Sequence, residues 1–521
     1  MKLALNIEKP AQGSFWPSIV IASFACFGGI LYGYDTGSIS GIIAMDHFKH
    51  VFATTHDALG NPILTSGQTS LIVSILSAGT TIGSFSMSLV GEIFGRRTNL
   101  IIGCGVFALG VALQAASSSI PLFAVGRFFA GLGLGFISAV VPLYQSEAAP
   151  KWIRGSIVSG YQWAITIGLL IASIVNNSTQ HRNDTGSYRI PICIQFAWGL
   201  ILATGMYMLP ESPRYFVKKG MLDEARKSLG RLSSLPPDHE YVSEQLLEIR
   251  ANYEYEISFG STSFIHCFTN EGRQLYRLLV VMTVQALQQL SGINFIFYYG
   301  TAFFQKSGIT NPFIINLITN IVNVVTTPPG MYAVERIGRR KLLLVGAAGM
   351  CVSEYIVAIV GVTVSSVVAN KVLIAFVCVY IAFFASTWGP VAWVVTGETF
   401  SLRTRSKSVA LCTMSNWIWN FGIGYATPYL VNSGPGNANL GAKVFFIWGS
   451  FCLLAVVFVY TFVYETKGLS LEEVDELYEK IASARHSPSF VPTHQMVSDD
   501  AKHAEAVVDA EKTGGLQIER V

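Results

Sequence analysis

Charge is what this chain has least of. Only 13% of its 521 residues are Asp, Glu, Lys or Arg, against 51% hydrophobic, and its mean hydropathy is +0.46. A soluble chain carries about a quarter charged residues, so lipid is the solvent for most of this surface. Cysteine is sparse as well: of eight, only Cys267 falls outside an apolar run, which argues against a disulfide-built fold. The soluble stretches hold no metal-ligand cluster, no nucleophile motif and no cofactor loop. Gly126, Gly131, Gly133 and Gly135 look like a phosphate loop, but they lie inside an apolar run with no strand before them, where small residues let helices approach closely. We therefore expect no enzyme, no cofactor and no metal. The net charge of +3 carries no implication of nucleic acid.

What the chain has is long apolar runs. Stretches of about 20 such residues mark spans near 17–45, 68–90, 98–116, 121–144, 156–177 and 190–209, then near 277–304, 312–334, 341–363, 371–396, 407–431 and 442–464. This predicts an all-α membrane protein with an N-terminal tail (1–16), two six-helix halves (17–209 and 277–464), a linker of short amphipathic helices (210–276) and a tail (465–521). The tail opens with the amphipathic LSLEEVDELYEKI and is expected to be disordered after about 487. The first run is too long for a signal peptide and is expected to stay as an anchor.

Basic residues set the orientation. Arg96, Arg97, Lys151, Arg154, Arg336, Arg339, Arg340, Lys341, Arg403, Arg405 and Lys407 fall on one side, and only Lys49, Arg182, Arg189, Lys306, Lys371 and Lys443 on the other. Both termini are thus predicted cytoplasmic. Sequons at Asn176, Asn177 and Asn183 fall on the opposite side, and Asn183, farthest from the membrane, is the candidate glycan acceptor.

The chain also repeats itself. GEIFGRRTNL around Gly95 returns as VERIGRRKLL around Gly338, 243 residues later. Each copy is followed by a glutamate and, seven residues on, an arginine: Glu147 and Arg154, then Glu398 and Arg405. Duplicated charge devices between spans mark a two-half secondary transporter. Arg96, Arg97, Glu147 and Arg154 in one half, with Glu335, Arg339, Arg340, Glu398 and Arg405 in the other, are candidates for a cytoplasmic gate. If their pairs form only when the inner mouth is shut, they favour the outward-facing state.

The motifs GRRTNL, PLYQSEAAPKWIRG, PESPRYF, QQLSGINFIFYYG, ERIGRRKLLLVG and YETKGLSLEEVDELY occur in order from about Tyr32 to Tyr478. The chain resembles the sugar porter branch of the major facilitator superfamily, and within it the fungal hexose transporters. Ser88, Glu92, Ile93 and Tyr464 depart from the common pattern. A pyranose needs amides for its hydroxyls and an aromatic platform for its flat face. The spans supply Gln162, Gln288, Gln289, Asn294, Asn323, Trp393, Asn416, Trp417 and Asn420, which match the family's sugar-contacting positions. Gly292 permits local unwinding between Gln289 and Asn294. Leu169 stands where the bacterial xylose permease has another glutamine.

Asp35 in GYDTG and Arg127 in GRFFAG are the informative charges within the spans. The resemblance implies a proton carrier, because proton-coupled sugar porters carry this pair while mammalian facilitative glucose transporters have Asn at the aspartate. A fixed ion pair is the alternative, since fungal hexose facilitators also keep the aspartate. The expected function is plasma-membrane monosaccharide transport, with hexose, and glucose first, as substrate, protons as coupled partner and the bilayer as host. An uncoupled uniporter is the alternative, and a sugar sensor a further one, although such sensors carry a long signalling tail. The sequence leaves oligomeric state and preferred sugar open.

Overall fold

The structure, a computed structural model, describes residues 14, 16–56, 60–149, 154–258, 263–306, 311–363, 366–401, 404–469 and 471–491. Each predicted span is helical. In the first half these are α1 (Trp16–Ala25) continued by α2 (Phe27–Ile42), α4 (Ser66–Phe94), α5 (Arg96–Ala116), α6 (Ile120–Ala148), α7 (Arg154–Thr179) and α8 (Gly186–Met208), with a short α3 (Asp46–Phe52) after the first span. A small ribbon of β1 (Thr55–His56) and β2 (Pro62–Ile63) precedes α4. Short α9 (Pro213–Lys218), α10 (Leu222–Ser233) and α11 (Glu240–Ser258) fill the linker.

The second half has α12 (Gln274–Leu290) and α13 (Ile293–Lys306), then α14 (Pro312–Ile337) and α15 (Arg339–Thr363). It continues with α16 (Val367–Phe383), a π turn (Phe384–Trp388), α17 (Gly389–Glu398), α18 (Arg405–Val431) and α19 (Val444–Phe462), and the tail helix α20 (Leu471–Lys480) follows.

Local chemistry explains the edges. Thr65 caps α4 in a reciprocal box: its hydroxyl accepts from the Gln68 amide at 3.2 Å, and the Gln68 side chain accepts from the Thr65 amide at 3.0 Å. The predicted unwinding falls at Gly292, whose φ is +82° and where an added Cβ would lie 2.5 Å from Trp448 Cγ. That conformation and that space suit glycine alone. Helix α6 wedges between α4 and α5, because a Cβ on Gly131 would sit 2.1 Å from the Leu76 carbonyl oxygen and one on Gly133 2.5 Å from the Phe107 nitrogen. These glycines do pack helices.

Ten helical stretches among the described residues have both the length and the hydropathy to cross a bilayer. Helices α14 and α18 have the length, 26 and 27 residues, but their hydropathy is reduced by Asn316, Asn320 and Asn323 in one and Asn416 and Asn420 in the other. Polar residues this deep in a bundle mark function.

The linker packs its own small core of Val217, Ala225, Leu229, Val242 and Leu246. Tail residues Val474, Leu477, Tyr478 and Ala484 cluster with Tyr464 at the end of α19. A 3-10 turn, Ala484–Ser489, follows α20, and its Ser487 hydroxyl accepts from the Glu465 amide at 2.9 Å. Residues 492–521 lie outside the described residues.

Candidate functional site

The break in the seventh span sits at the centre of an amide network. Gln288 and Gln289 lie in the last turn of α12, and Asn294 is the second residue of α13, two residues after Gly292. Asn416 and Asn420, one turn apart on α18, face them. Gln289 Nε2 donates to Asn416 Oδ1 at 3.0 Å, while Gln289 Oε1 accepts from Asn420 Nδ2 at 3.2 Å and from Asn294 Nδ2. Asn416 Nδ2 donates to Gln288 Oε1 at 2.9 Å and to Gln285 Oε1 at 2.7 Å. Gln288 Nε2 turns to the carbonyls of Trp388 and Gly389 at 2.8 and 3.2 Å. All five amides are buried.

Three further groups complete the network. Gln285 donates to Thr396 Oγ1 at 2.8 Å, and Ser77 and Tyr298 both donate to Asn420 Oδ1, at 2.6 and 3.1 Å. Sequence reasoning missed them. Gln285 lies one turn before Gln289 on the same face, and that spacing was the available signal.

The remaining predicted residues lie on α7, α14, α17 and α18. Gln162 and Trp393 are half-buried and line a small cavity between α6, α7 and α17 with Pro142, Val158, Tyr161 and Pro390. A Cβ on Gly389 would lie 3.5 Å from Gln162 Nε2, so the cavity adjoins the peptide that receives Gln288. Asn323 and Trp417 are buried, at 1% and 2% exposure, and Asn323 Nδ2 and Trp417 Nε1 have no protein hydrogen-bond partner. Trp417 meets Tyr32 edge-on, ring centres 5.3 Å apart. Trp388 packs in the core, its indole donating to the Leu343 carbonyl at 2.9 Å, and Leu169 is buried apolar packing.

Asp35 on α2 and Arg127 on α6 form a closed pair. Arg127 Nη1 donates to both carboxylate oxygens at 3.1 Å, and its Nε donates to the Ile72 carbonyl at 3.2 Å. The side chains are 0% and 1% exposed. Arg127 Nη2 has no partner.

The duplicated charge devices stand together at one end of each half. Arg96 Nη2 donates to Glu147 Oε1 at 3.0 Å. Arg339 grips Glu398 through Nε and Nη2 at 3.0 and 2.8 Å, and Glu335 through Nη1 and Nη2 at 3.1 Å each. Arg97 lies over the Tyr207 ring, 5.1 Å from its centre. Arg340 donates to the Tyr460 carbonyl at 2.7 Å, and Arg405 to the Gly397 carbonyl at 3.0 Å. Arg154 opens α7, but its side chain lies outside the described residues, as do Lys151 and Arg403.

A second device repeats between the halves. Glu211 accepts from the backbone amides of Arg96 and Arg97 at 3.0 and 2.9 Å, and Glu465 accepts from those of Arg339 and Arg340 at 2.8 and 3.1 Å. Each carboxylate caps the helix that starts at its Gly-Arg-Arg motif, where unpaired N–H groups and the helix dipole favour a negative charge. Burial holds the Glu211 carboxyl above its ordinary value, against the pull of its N–H donors. Gly95 and Gly338 have φ of +87° and +99°, and a Cβ on either would fall 2.5 Å from the capping carboxylate.

The two halves are stitched by neutral hydrogen bonds at the end opposite the arginines. Ser40 meets Thr301 at 3.2 Å, Ser70 donates to the Tyr425 carbonyl at 2.7 Å, Asn320 to Ser173 at 2.7 Å and Asn432 to Ser66 at 3.0 Å. The Arg96 and Arg339 pairs each join helices of one half, and they are formed while this opposite end is joined.

Residues 21–478 match the family model described as "Sugar (and other) transporter". A major facilitator-type transporter of Aspergillus rugulosus is 55% identical over 94% of this chain and 93% of its own length. A probable glucose transporter of Neurospora crassa is 46% identical over 94% and 84%, and a high glucose sensor of Saccharomyces cerevisiae 47% over 89% and 61%. Among solved structures, a proton:xylose symporter of the major facilitator superfamily, bound to 6-bromo-6-deoxy-D-glucose, superposes with a TM-score of 0.74 at 25% identity, over 89% of this chain and all of that one. With a family match over nearly its whole length and a matching twelve-helix fold, the chain belongs to the sugar porter family of the major facilitator superfamily, whose members are transporters and not enzymes.

Proposed function

We propose that this protein carries a monosaccharide, a hexose and foremost glucose, across the plasma membrane by alternating access, coupled to protons through Asp35 and Arg127. The observation that carries the sugar reading is the ring of Gln288, Gln289, Asn294, Asn416 and Asn420 around a broken helix. Amides both donate and accept, as sugar hydroxyls require. Asn323 Nδ2 and Trp417 Nε1, buried without partners, add donors, and Trp393 beside Gln162 supplies an aromatic face. The relatives named for glucose support the same substrate class.

Coupling rests on the closed Asp35–Arg127 pair. Ionised Asp35 is stabilised while Arg127 touches it and takes a proton when Arg127 withdraws. In the proposed orientation the arginine end and both termini face the cytoplasm, and the end joined by Ser40 and Thr301 faces outward. One proton driven by 100 mV supplies about 2.3 kcal/mol and one pH unit about 1.36 kcal/mol. Together they sustain roughly several-hundredfold accumulation.

The deciding experiment is labelled glucose uptake into proteoliposomes, with and without an inward proton gradient. Accumulation that a protonophore collapses supports symport, and equilibration without accumulation makes the protein a uniporter. Absence of flux for every hexose and pentose favours a sensor, the activity named for one relative.

A further inference from the structure

Among the described side chains of the spans, Glu354 is the one carboxylate that the transport reading leaves unused and that faces no cation. It lies on α15 in the second half, 0% exposed. Its Oε2 accepts from Cys452 Sγ on α19 at 3.3 Å, and its Oε1 has no partner. The titratable groups facing it are Cys351 on its own helix, Cys452 on α19 and Tyr380 on α16, all buried. The ionic groups of the other packed elements stand at the bundle ends. Glu335 and Glu398 are held by Arg339, ~22 Å away along α15 at 1.5 Å per residue, while Lys371 and Lys443 are exposed at the opposite end.

An ionised carboxylate here would have no counter-charge and, at 0% exposure, no contact with bulk solvent, and a thiol is a weak donor. Bound to a proton, the same group is an ordinary buried acid. Its surroundings give that proton a use, because Cys452 and Trp448 lie one turn apart on α19 and Trp448 fills the space beside Gly292. From the other side, the Tyr380 hydroxyl donates to the Ser291 carbonyl at 2.7 Å. Of the neighbours of Glu354, Tyr380 thus touches the break between Gln289 and Asn294 directly, and Cys452 is linked to it through Trp448, one turn away on α19.

We propose that Glu354 is a second proton-binding carboxyl, held as the neutral acid, and that in this form it positions the Ser291–Gly292 break and with it the sugar amides. The positioning half rests on reading those amides as the sugar site; the proton half does not.

The test has two arms. Infrared difference spectra of purified protein, native minus Glu354→Gln, should show a carboxylic-acid carbonyl band at neutral pH that persists into mild alkali, and Cys452→Ala should shift that band by removing its hydrogen bond. A pair of carboxylate bands in its place, or no shift with Cys452→Ala, overturns the assignment whether or not the protein transports sugar. In uptake assays on variants that remain monodisperse, Glu354→Gln should keep the native KM, while Glu354→Ala should raise KM roughly fivefold, about one hydrogen bond's worth, with little change in kcat. Equal damage from both variants, or a loss confined to kcat, overturns the positioning role.

Discussion

Arg127 reaches Asp35 with a single nitrogen, Nη1, placed 3.1 Å from each carboxylate oxygen, and leaves Nη2 without a partner. A two-nitrogen fork would be the stronger arrangement. A pair held by one nitrogen is a pair that can part, as a proton carrier requires. Asp35→Asn should abolish uphill uptake, bringing accumulation down from roughly several-hundredfold to about onefold, while exchange of labelled for unlabelled sugar continues. Counterflow in proteoliposomes measures both. If exchange fails too in well-folded protein, the pair is a structural tie between α2 and α6.

Gln289 bonds to three of the other predicted amides, Asn294, Asn416 and Asn420. Gln289→Ala would strip three partners at once at about 1–3 kcal/mol for the groups left unsatisfied. A rise in KM of roughly tenfold or more is expected from initial rates across a glucose series. Ser77→Ala, which removes a single bond to Asn420, should have a smaller effect.

The capping carboxylates should matter for stability in both halves. Glu465→Ala exposes the Arg339 and Arg340 amides and should cost about 1–2 kcal/mol, visible as a lower melting temperature in detergent. Glu211→Ala should do the same in the first half. Because burial raises the folded-state value of Glu211, its titration favours folding most in acid, below the ordinary carboxyl value, and this contribution fades as pH climbs through the raised one. Glu211→Gln should flatten that slope in melting curves run against pH.

Ser40 and Thr301 touch across the halves at 3.2 Å, close enough for a double cysteine substitution to form a disulfide. Oxidation of Ser40→Cys with Thr301→Cys should arrest uptake, and reductant should restore it. Uptake that continues in the crosslinked protein would mean that this end does not open during transport.

Asn183 is exposed in the turn before α8, whereas Asn176 is buried in α7 and donates to the Gly37 and Ser38 carbonyls at 3.1 and 3.2 Å. Of the sequons, Asn183 should carry the glycan. A gel shift on endoglycosidase treatment that vanishes with Asn183→Gln, and not with Asn176→Gln, is the expected result.

The bundle was legible because its signal is local. Twenty apolar residues in a row announce a span, and Gly292 between amides announced the break. Helices α14 and α18 were harder, since their asparagines lower their hydropathy. The Gln289–Asn416 bond joins residues 127 apart in the chain, and no local pattern encodes such a meeting. Glu465 was overlooked as a cap because its partners, the Arg339 and Arg340 amides, are backbone groups that every residue has. The two Gly-Arg-Arg motifs drew notice as charge. The structure shows that their glycines and backbone amides are equally part of the device.

The amides Gln288, Gln289, Asn294, Asn416 and Asn420 bond to one another, so under the proposed function an arriving solute enters a place whose hydrogen bonds are already made. Each contact it gains is exchanged for one it displaces, so the net return on entry is small. For a lock that would be a fault. For a ferry it is an advantage, since cargo that boards by barter can leave the same way, and throughput is spared the long dwell that tight binding imposes.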